Sequence, residues 1–209
     1  MPGMRVLAQL HCPRCSRTFY GDMPTGQGLL HPVLLDRDTG ELHASLQSWF
    51  AEELRQGYAQ PSLAELNVKV EQLRPLNNPY VLNCLDTFYG HALAKLFSAQ
   101  HYLDIGADLL VIVPTFLRWL VPDGVAEIWS VNMPLRQSAQ WNESFARQIH
   151  TRVEALDACN LAVAFPDPNP SDYAIERFTR VKPFPMEEWF TRIQKPTITF
   201  IWRQDRLWT

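Results

Sequence analysis

Cysteine and excess basic charge are both scarce in this chain. Its four cysteines are unevenly spaced, which favours a reducing compartment over a disulfide framework and predicts a cytoplasmic location. With 19 Lys+Arg against 22 Asp+Glu, the formal net charge is -3. Such a balance predicts no overall attraction to nucleic acid, so any phosphate that the protein binds must be held locally.

Long apolar runs are also missing. The longest, residues 109–121, is interrupted by Pro114 and Arg118 and falls short of the ~20 apolar residues that a membrane-spanning helix needs. Residues 1–10 carry one arginine and no sustained apolar block, so they do not read as a secretory signal. We therefore expect no transmembrane segment.

Motifs of several common enzyme classes do not occur in the sequence. There is no Gly-x-Ser-x-Gly elbow, no phosphate-binding loop ending in Gly-Lys-Ser/Thr and no His-Glu-x-x-His helix. The sequence therefore gives no support to the common hydrolase, nucleoside triphosphatase and zinc-protease classes.

The residues that are present predict an α/β fold. Hydrophobic residues make up 46% of the 209 residues, enough for a packed core. Beyond residue 75, short apolar runs alternate with amphipathic helical patterns, which predicts a Rossmann-like parallel sheet with helices on both faces over residues 76–195. The predicted strands are 80–85, 109–113, 126–131 and 161–165, and the main predicted helices are 92–103 and 141–156.

Two smaller segments flank this domain. Residues 1–75 predict a Cys-x-x-Cys turn, a hairpin around Asp36–Gly40, and helices over 44–56 and from Ser62 to Leu73. Residues 196–209 open with a strand at 197–202. This strand either begins a second α/β unit or closes the first sheet as an edge strand, and both alternatives stay open.

The main functional signal is the stretch 86–91, Asp-Thr-Phe-Tyr-Gly-His, between the first parallel strand and its helix. Ligands of open α/β sheets bind at the carboxyl ends of strands, where this stretch lies. Gly90 permits close approach to the backbone, and His91 has the chemistry of a general base that Asp86 can orient. We assign Gly90, Tyr89 and Lys95 to substrate binding. The alternative is that His91 only caps the helix.

Residues 80–85 and 90–96, Tyr-Val-Leu-Asn-Cys-Leu and Gly-His-Ala-Leu-Ala-Lys-Leu, resemble the first strand, Gly-His turn and first helix of the acceptor domain of GT-B glycosyltransferases. The resemblance extends over the strand and helix order of residues 80–165. It implies that His91 deprotonates an acceptor hydroxyl, with assistance from Asp86. The implied partners are a nucleotide sugar and a glycan or small-molecule acceptor, and no cofactor is required.

Residues 197–206 are similar to the strand and Arg-rich turn that open the nucleotide-binding domain of fucosyltransferase-like GT-B enzymes. The similarity implies that Arg203, together with Arg206, contacts the donor diphosphate, a task that suits the planar guanidinium group. Gln204 stands where that turn usually has glycine. The chain would then hold the acceptor half of the enzyme and the first strand of the donor half, and alone would transfer sugar poorly.

Cys12 and Cys15 form the other candidate site. Two thiolates at this spacing suit tetrahedral zinc, and His31 or His43, on either side of the hairpin, are the candidates to complete the site. A redox dithiol and an unmetallated turn are the alternatives. A structural zinc here would fit a different function, a non-catalytic α/β binding or interaction module.

Overall fold

The structure is a computed structural model that describes residues 6–22, 31–45, 51–156, 158–164, 169–182 and 184–192. The strand predicted at 197–202, together with Arg203 and Arg206, lies outside the described residues, as do residues 46–50 of the helix predicted over 44–56. The first residue of that predicted helix, Ala44, is in a strand instead.

The N-terminal part is a four-stranded antiparallel sheet with its strands in chain order. Its strands are β1 (Val6–His11), β2 (Thr18–Asp22), β3 (Val33–Asp36) and β4 (Leu42–Ala44). The predicted hairpin is confirmed as β3 and β4. Asp36 begins its turn because Oδ1 accepts the backbone N–H groups of Asp38 and Thr39, and Gly40 takes the positive φ of 69° that closes it.

Helix α1 (Ala51–Ala59) follows, but the second predicted helix, from Ser62 to Leu73, is wrong. Residues Val68–Gln72 form strand β5, which pairs antiparallel with β8 (Glu127–Val131). Upstream, Ser62 forms a parallel bridge with Asn142, so long-range pairing holds this segment extended. The helical spacing of its leucines does not mark a buried helix face, because Leu63 and Leu73 are exposed.

The second sheet contains three further strands, β6 (Tyr80–Asn83), β7 (Leu109–Pro114) and β9 (Asn160–Leu161). Its strand order is β5, β8, β7, β6, β9, and all neighbours except β5 and β8 are parallel. The predicted α/β class is confirmed.

The α-helices that follow α1 are α2 (Tyr89–Phe97), α3 (Ala99–Asp104), α4 (Glu143–Glu154), α5 (Glu176–Thr179) and α6 (Met186–Arg192). Short 3-10 helices span Thr115–Leu120, Leu135–Ala139 and Pro170–Asp172.

Helices cover this sheet on both faces, as the continuous apolar runs of its strands predict. Leu82 and Val111 point to the face covered by α2 and α3, whereas Val81 and Ile112 point to the face covered by α4. The predicted helix 92–103 is two helices, α2 and α3, which meet at Ser98. Among the described residues, no helix is long and apolar enough to cross a membrane.

The N-terminal sheet docks against the segment that leads into α4. The Trp141 ring is buried between Tyr20 of β2 and Tyr58 of α1, with centroid distances of 4.9 and 4.8 Å. Val33 and Leu35 of β3 complete this cluster. These residues form a core between the N-terminal sheet, α1 and the start of α4.

Candidate functional site at the carboxyl end of β6

The stretch 86–91 lies where the strand order of the second sheet reverses. Strands β7 and β8 continue the sheet on one side of β6, and β9 adds to its other side. The carboxyl ends of β6 and β9 therefore meet at the topological switch point, where open α/β sheets bind their ligands. The loop between β6 and α2 lies at this position.

Asp86 is the centre of the site, and its carboxylate is contacted by the Thr87 hydroxyl at 3.5 Å, by the Phe88 backbone and by Lys95. The side chain is only 8% exposed. Oδ1 accepts the backbone N–H of Phe88 at 3.1 Å, and Oδ2 pairs with Lys95 Nζ at 2.9 Å. Lys95 Nζ also donates to the Leu85 carbonyl oxygen at 3.2 Å. Backbone and lysine together therefore fix the orientation of this carboxylate.

His91 extends from the first turn of α2 beside Asp86. Its Nδ1 lies 3.6 Å from Asp86 Oδ1, and its side chain is 48% exposed. The Phe88 ring meets the imidazole edge to face at a centroid distance of 5.4 Å. A Nδ1–H directed at the carboxylate leaves the Nε2 lone pair as the proton acceptor. The separation is longer than a hydrogen bond, as catalytic pairs often are before substrate is bound.

Helix α2 begins without a side-chain cap, since its N-cap residue is Phe88. His91 is the third residue of this helix and does not occupy the N-cap position, and its contact with Asp86 is one that the alternative, local role also predicts. The first N–H groups of any helix lack partners within it and favour a negatively charged or polarised oxygen. Gly90 has open space on its Cβ side, with no atom within 4 Å of a Cβ placed there.

Two exposed aromatic rings stack on each other at the same edge of the sheet. Tyr89 stacks on Phe116 at a centroid distance of 5.9 Å and an interplanar angle of 21°, and each residue is 42% exposed. Phe116 follows the carboxyl end of β7, so two neighbouring strands deliver this pair to one edge. Phe116 was not among the site residues predicted from the sequence. It follows the predicted parallel strand 109–113 closely, and this position at a strand end indicates a candidate site residue.

Lys95 takes a different place from the one its predicted role requires. Its side chain is 13% exposed and is occupied by Asp86 and the Leu85 carbonyl. This placement favours a role in positioning Asp86, and the substrate-binding role stays a prediction. Cys84 is fully buried beneath the loop, where burial raises the pKa of its thiol to about 12.

The structure does not bring the predicted zinc ligands together. Cys12 and Cys15 lie in the turn from β1 to β2, whereas His43 lies on β4, and two strands separate β4 from β1. His31 precedes β3 at the opposite end of the sheet, where its Nδ1 contacts Ser45 Oγ at 3.1 Å. Within the described ranges, no group of three or more Cys, His, Asp or Glu side chains is arranged to hold a metal ion.

Comparisons of the chain with protein-family models, curated proteins and solved structures found no match. The functional interpretation therefore depends on the chemistry of Asp86, His91 and their neighbours alone. An exposed imidazole beside a buried carboxylate can accept a proton from a hydroxyl group, because the carboxylate orients the imidazole.

Proposed function

We propose that the carboxyl end of β6 is the acceptor site of a nucleotide-sugar-dependent glycosyltransferase. The observation that carries the proposal is the Asp86 and His91 pair, with its carboxylate buried and its imidazole 48% exposed. A histidine kept only for packing would be buried with both nitrogens bonded. In His91, Nδ1 faces Asp86 Oδ1 at 3.6 Å, and nearly half of the side chain is exposed.

The proposed reaction is a displacement at the anomeric carbon of the donor sugar. His91 Nε2 accepts the proton of the acceptor hydroxyl, and the hydroxyl oxygen forms a bond to the anomeric carbon. The bond from that carbon to the donor diphosphate breaks, and its electron pair leaves with the diphosphate. In this proposal Arg203 and Arg206 hold the leaving diphosphate, and both lie outside the described residues.

Two further features support an acceptor at this edge. The stacked Tyr89 and Phe116 rings offer apolar surface of the kind that sugar rings and aromatic aglycones contact. The uncapped first turn of α2 offers N–H groups to acceptor oxygens. Both features lie on residues next to His91 or on the neighbouring strand end.

The competing function is a binding module without catalysis. It predicts that carbohydrate or small-molecule ligands bind at this edge and leave unchanged. Transfer and binding are separated by measuring the product as well as the complex.

The test measures sugar transfer from a panel of radiolabelled nucleotide sugars to glycan and small-molecule acceptors. Loss of a positioned general base reduces turnover by ~10²–10⁴-fold, so His91→Ala is expected to lose that much of kcat/KM. His101→Ala is the matched control, because His101 is an exposed histidine of α3 whose ring meets the Tyr102 ring edge to face. Added imidazole is expected to restore part of the His91→Ala activity.

Equal turnover of His91→Ala and the unaltered protein would remove His91 from the mechanism. Acceptor binding that is detected without transfer from any donor would favour the binding module.

A further inference from the structure

The 3-10 helix that follows β7, Thr115–Leu120, presents two aromatic side chains to solvent. Residues three apart in a 3-10 helix lie on the same side of it. Leu117 and Leu120 are such a pair, and both are buried in the core of the second sheet. Phe116 and Trp119 are another such pair, and they are 42% and 60% exposed. The spacing of these residues therefore gives the helix a buried leucine side and an exposed aromatic side.

Tyr89 of α2 extends the aromatic side towards the candidate site. Its ring stacks on Phe116 at a centroid distance of 5.9 Å. Trp119 lies one turn beyond Phe116, a rise of about 6 Å along the 3-10 helix. We call Tyr89, Phe116 and Trp119 the aromatic stripe. It begins in the first turn of α2, two residues from His91, and continues along the 3-10 helix.

Polar contacts fix the backbone that carries the stripe. The Arg118 guanidinium donates to both carboxylate oxygens of Glu71 at 2.9 and 3.0 Å. Arg180 donates to the Trp119 carbonyl oxygen at 2.6 Å and to the Val121 carbonyl oxygen at 2.7 Å. These contacts and the buried leucines hold the helix in place while its aromatic side chains stay exposed. A surface that is ordered before binding loses less entropy when a ligand binds.

The charges around the stripe suit an uncharged ligand. Arg118 is paired with Glu71, and Arg180 Nη2 is paired with Asp123 Oδ1 at 3.2 Å. The three rings of the stripe carry no charge, and the net charge of the chain is -3. Single-stranded nucleic acid binds where aromatic rings are combined with a positively charged groove, so the charge balance here favours a neutral ligand over a nucleic acid.

We propose that the aromatic stripe binds a neutral oligosaccharide, so that the acceptor is a glycan of several sugar units. This substrate class rests on the proposed function, because it takes the acceptor hydroxyl to lie at His91. The apolar C–H faces of successive sugar rings pack on Tyr89, Phe116 and Trp119, and their hydroxyl groups stay in water. A single sugar at His91 does not reach Trp119, whereas a longer chain does.

The test measures by calorimetry how the affinity of the unaltered protein depends on glycan length. The probes are uncharged malto-, cello- and chito-oligosaccharides of one to five units. In at least one series, the affinity is expected to rise by tenfold or more from one unit to four units. No binding in any series, or equal affinity at every length, would overturn the proposal.

Trp119→Ala is expected to lower the affinity for the four-unit glycan about tenfold, since truncation of an aromatic anchor typically has an effect of this size. The affinity for the shortest glycan that binds is expected to stay unchanged. Trp119→Phe keeps an aromatic ring and is expected to retain most of the affinity. Trp189→Ala is the matched control, because Trp189 is 45% exposed and lies on α6. Circular dichroism confirms that each variant is folded.

Three further results would overturn the oligosaccharide site. They are tighter binding of oligothymidylate than of any glycan, self-association of the chain that Trp119→Ala abolishes, and equal effects of Trp119→Ala on short and long glycans. Failure of the proposed function is recognised separately. Length-dependent binding without transfer from any donor would contradict the glycosyltransferase and leave the oligosaccharide site in place.

Discussion

At the scale of single residues, Asp86 organises the candidate site because its buried carboxylate has several partners. The Phe88 amide and Lys95 fix the carboxylate, and His91 lies beside the oxygen that the amide also binds. The sequence predicted the proximity of Asp86 and His91, since five residues across a strand end and a helix start cannot diverge far. The Lys95 contact was not predicted, because it requires knowing which face of α2 meets the loop.

Lys95→Met is expected to destabilise the fold by about 2 kcal/mol, because it leaves the Asp86 carboxylate without its counter-charge in a site only 8% exposed. Lys95→Met/Asp86→Asn is expected to be less destabilised than the sum of its single variants. Urea unfolding of the four proteins measures the coupling. Strictly additive effects would show that the pair does not interact.

The reactivity of the four thiols follows from their surroundings. Burial raises the pKa of Cys84 to about 12, so this thiol stays protonated and shielded at pH 8. Hydrogen bonds lower the pKa of Cys12, so its thiolate forms at lower pH than an ordinary cysteine thiolate. With chelator present, native-state alkylation followed by mass spectrometry is expected to label Cys12 and Cys15 and to spare Cys84. Labelling of Cys84 at a comparable rate would contradict its burial.

At the scale of elements, local patterns predicted the parallel strands and failed at the antiparallel edge. Strands β6, β7 and β8 have apolar runs whose residues face cores on both sides, so the sequence signal is strong. Strand β5 is mostly exposed, and its position depends on pairing with β8, a contact between residues about 60 apart in the chain. Helical spacing of exposed leucines therefore misled the prediction from Ser62 to Leu73.

One charged pair ties β5 to the segment after β7. The Arg118 guanidinium donates to both carboxylate oxygens of Glu71 at 2.9 and 3.0 Å, and these bonds lower the pKa of Glu71 in the folded protein. The contribution to stability is therefore complete above the unfolded carboxyl pKa of ~4.3 and is lost as the pH falls through the lower folded value.

Glu71→Gln is accordingly expected to cost about 1 kcal/mol at neutral pH and progressively less as the solution is acidified. Urea unfolding of both proteins across this pH range measures the difference. A difference that is constant with pH would show that the charge of Glu71 does not contribute.

At the scale of the whole molecule, the N-terminal sheet packs against α1 and the start of α4 around the buried Trp141. The predicted boundary near residue 75 stays a prediction, and β5 lies before it although it pairs within the second sheet. The contact between Trp141 and Tyr20 was not predicted, because the two residues are about 120 positions apart and no local pattern links them. For the same reason, the stacking of Tyr89 on Phe116 at the candidate site was not predicted.

Trp141→Ala is expected to destabilise the protein by about 3–5 kcal/mol, because it removes a large ring that is 4% exposed from the core between the N-terminal sheet, α1 and the start of α4. Trp119→Ala is the matched control. Trp119 is 60% exposed, so its removal is expected to change stability by less than about 0.5 kcal/mol. Equal losses in thermal or urea unfolding would contradict the packing described for Trp141.

We propose that a hydroxyl-bearing ligand binds at the carboxyl end of β6 with its hydroxyl at His91. Amide chemical-shift mapping during titration with a series of glycan and small-molecule acceptors tests this binding. The largest changes are expected at residues 84–91 and 162–164, with much weaker changes in His91→Ala. Changes confined to the N-terminal sheet, or a response that His91→Ala leaves untouched, would contradict it.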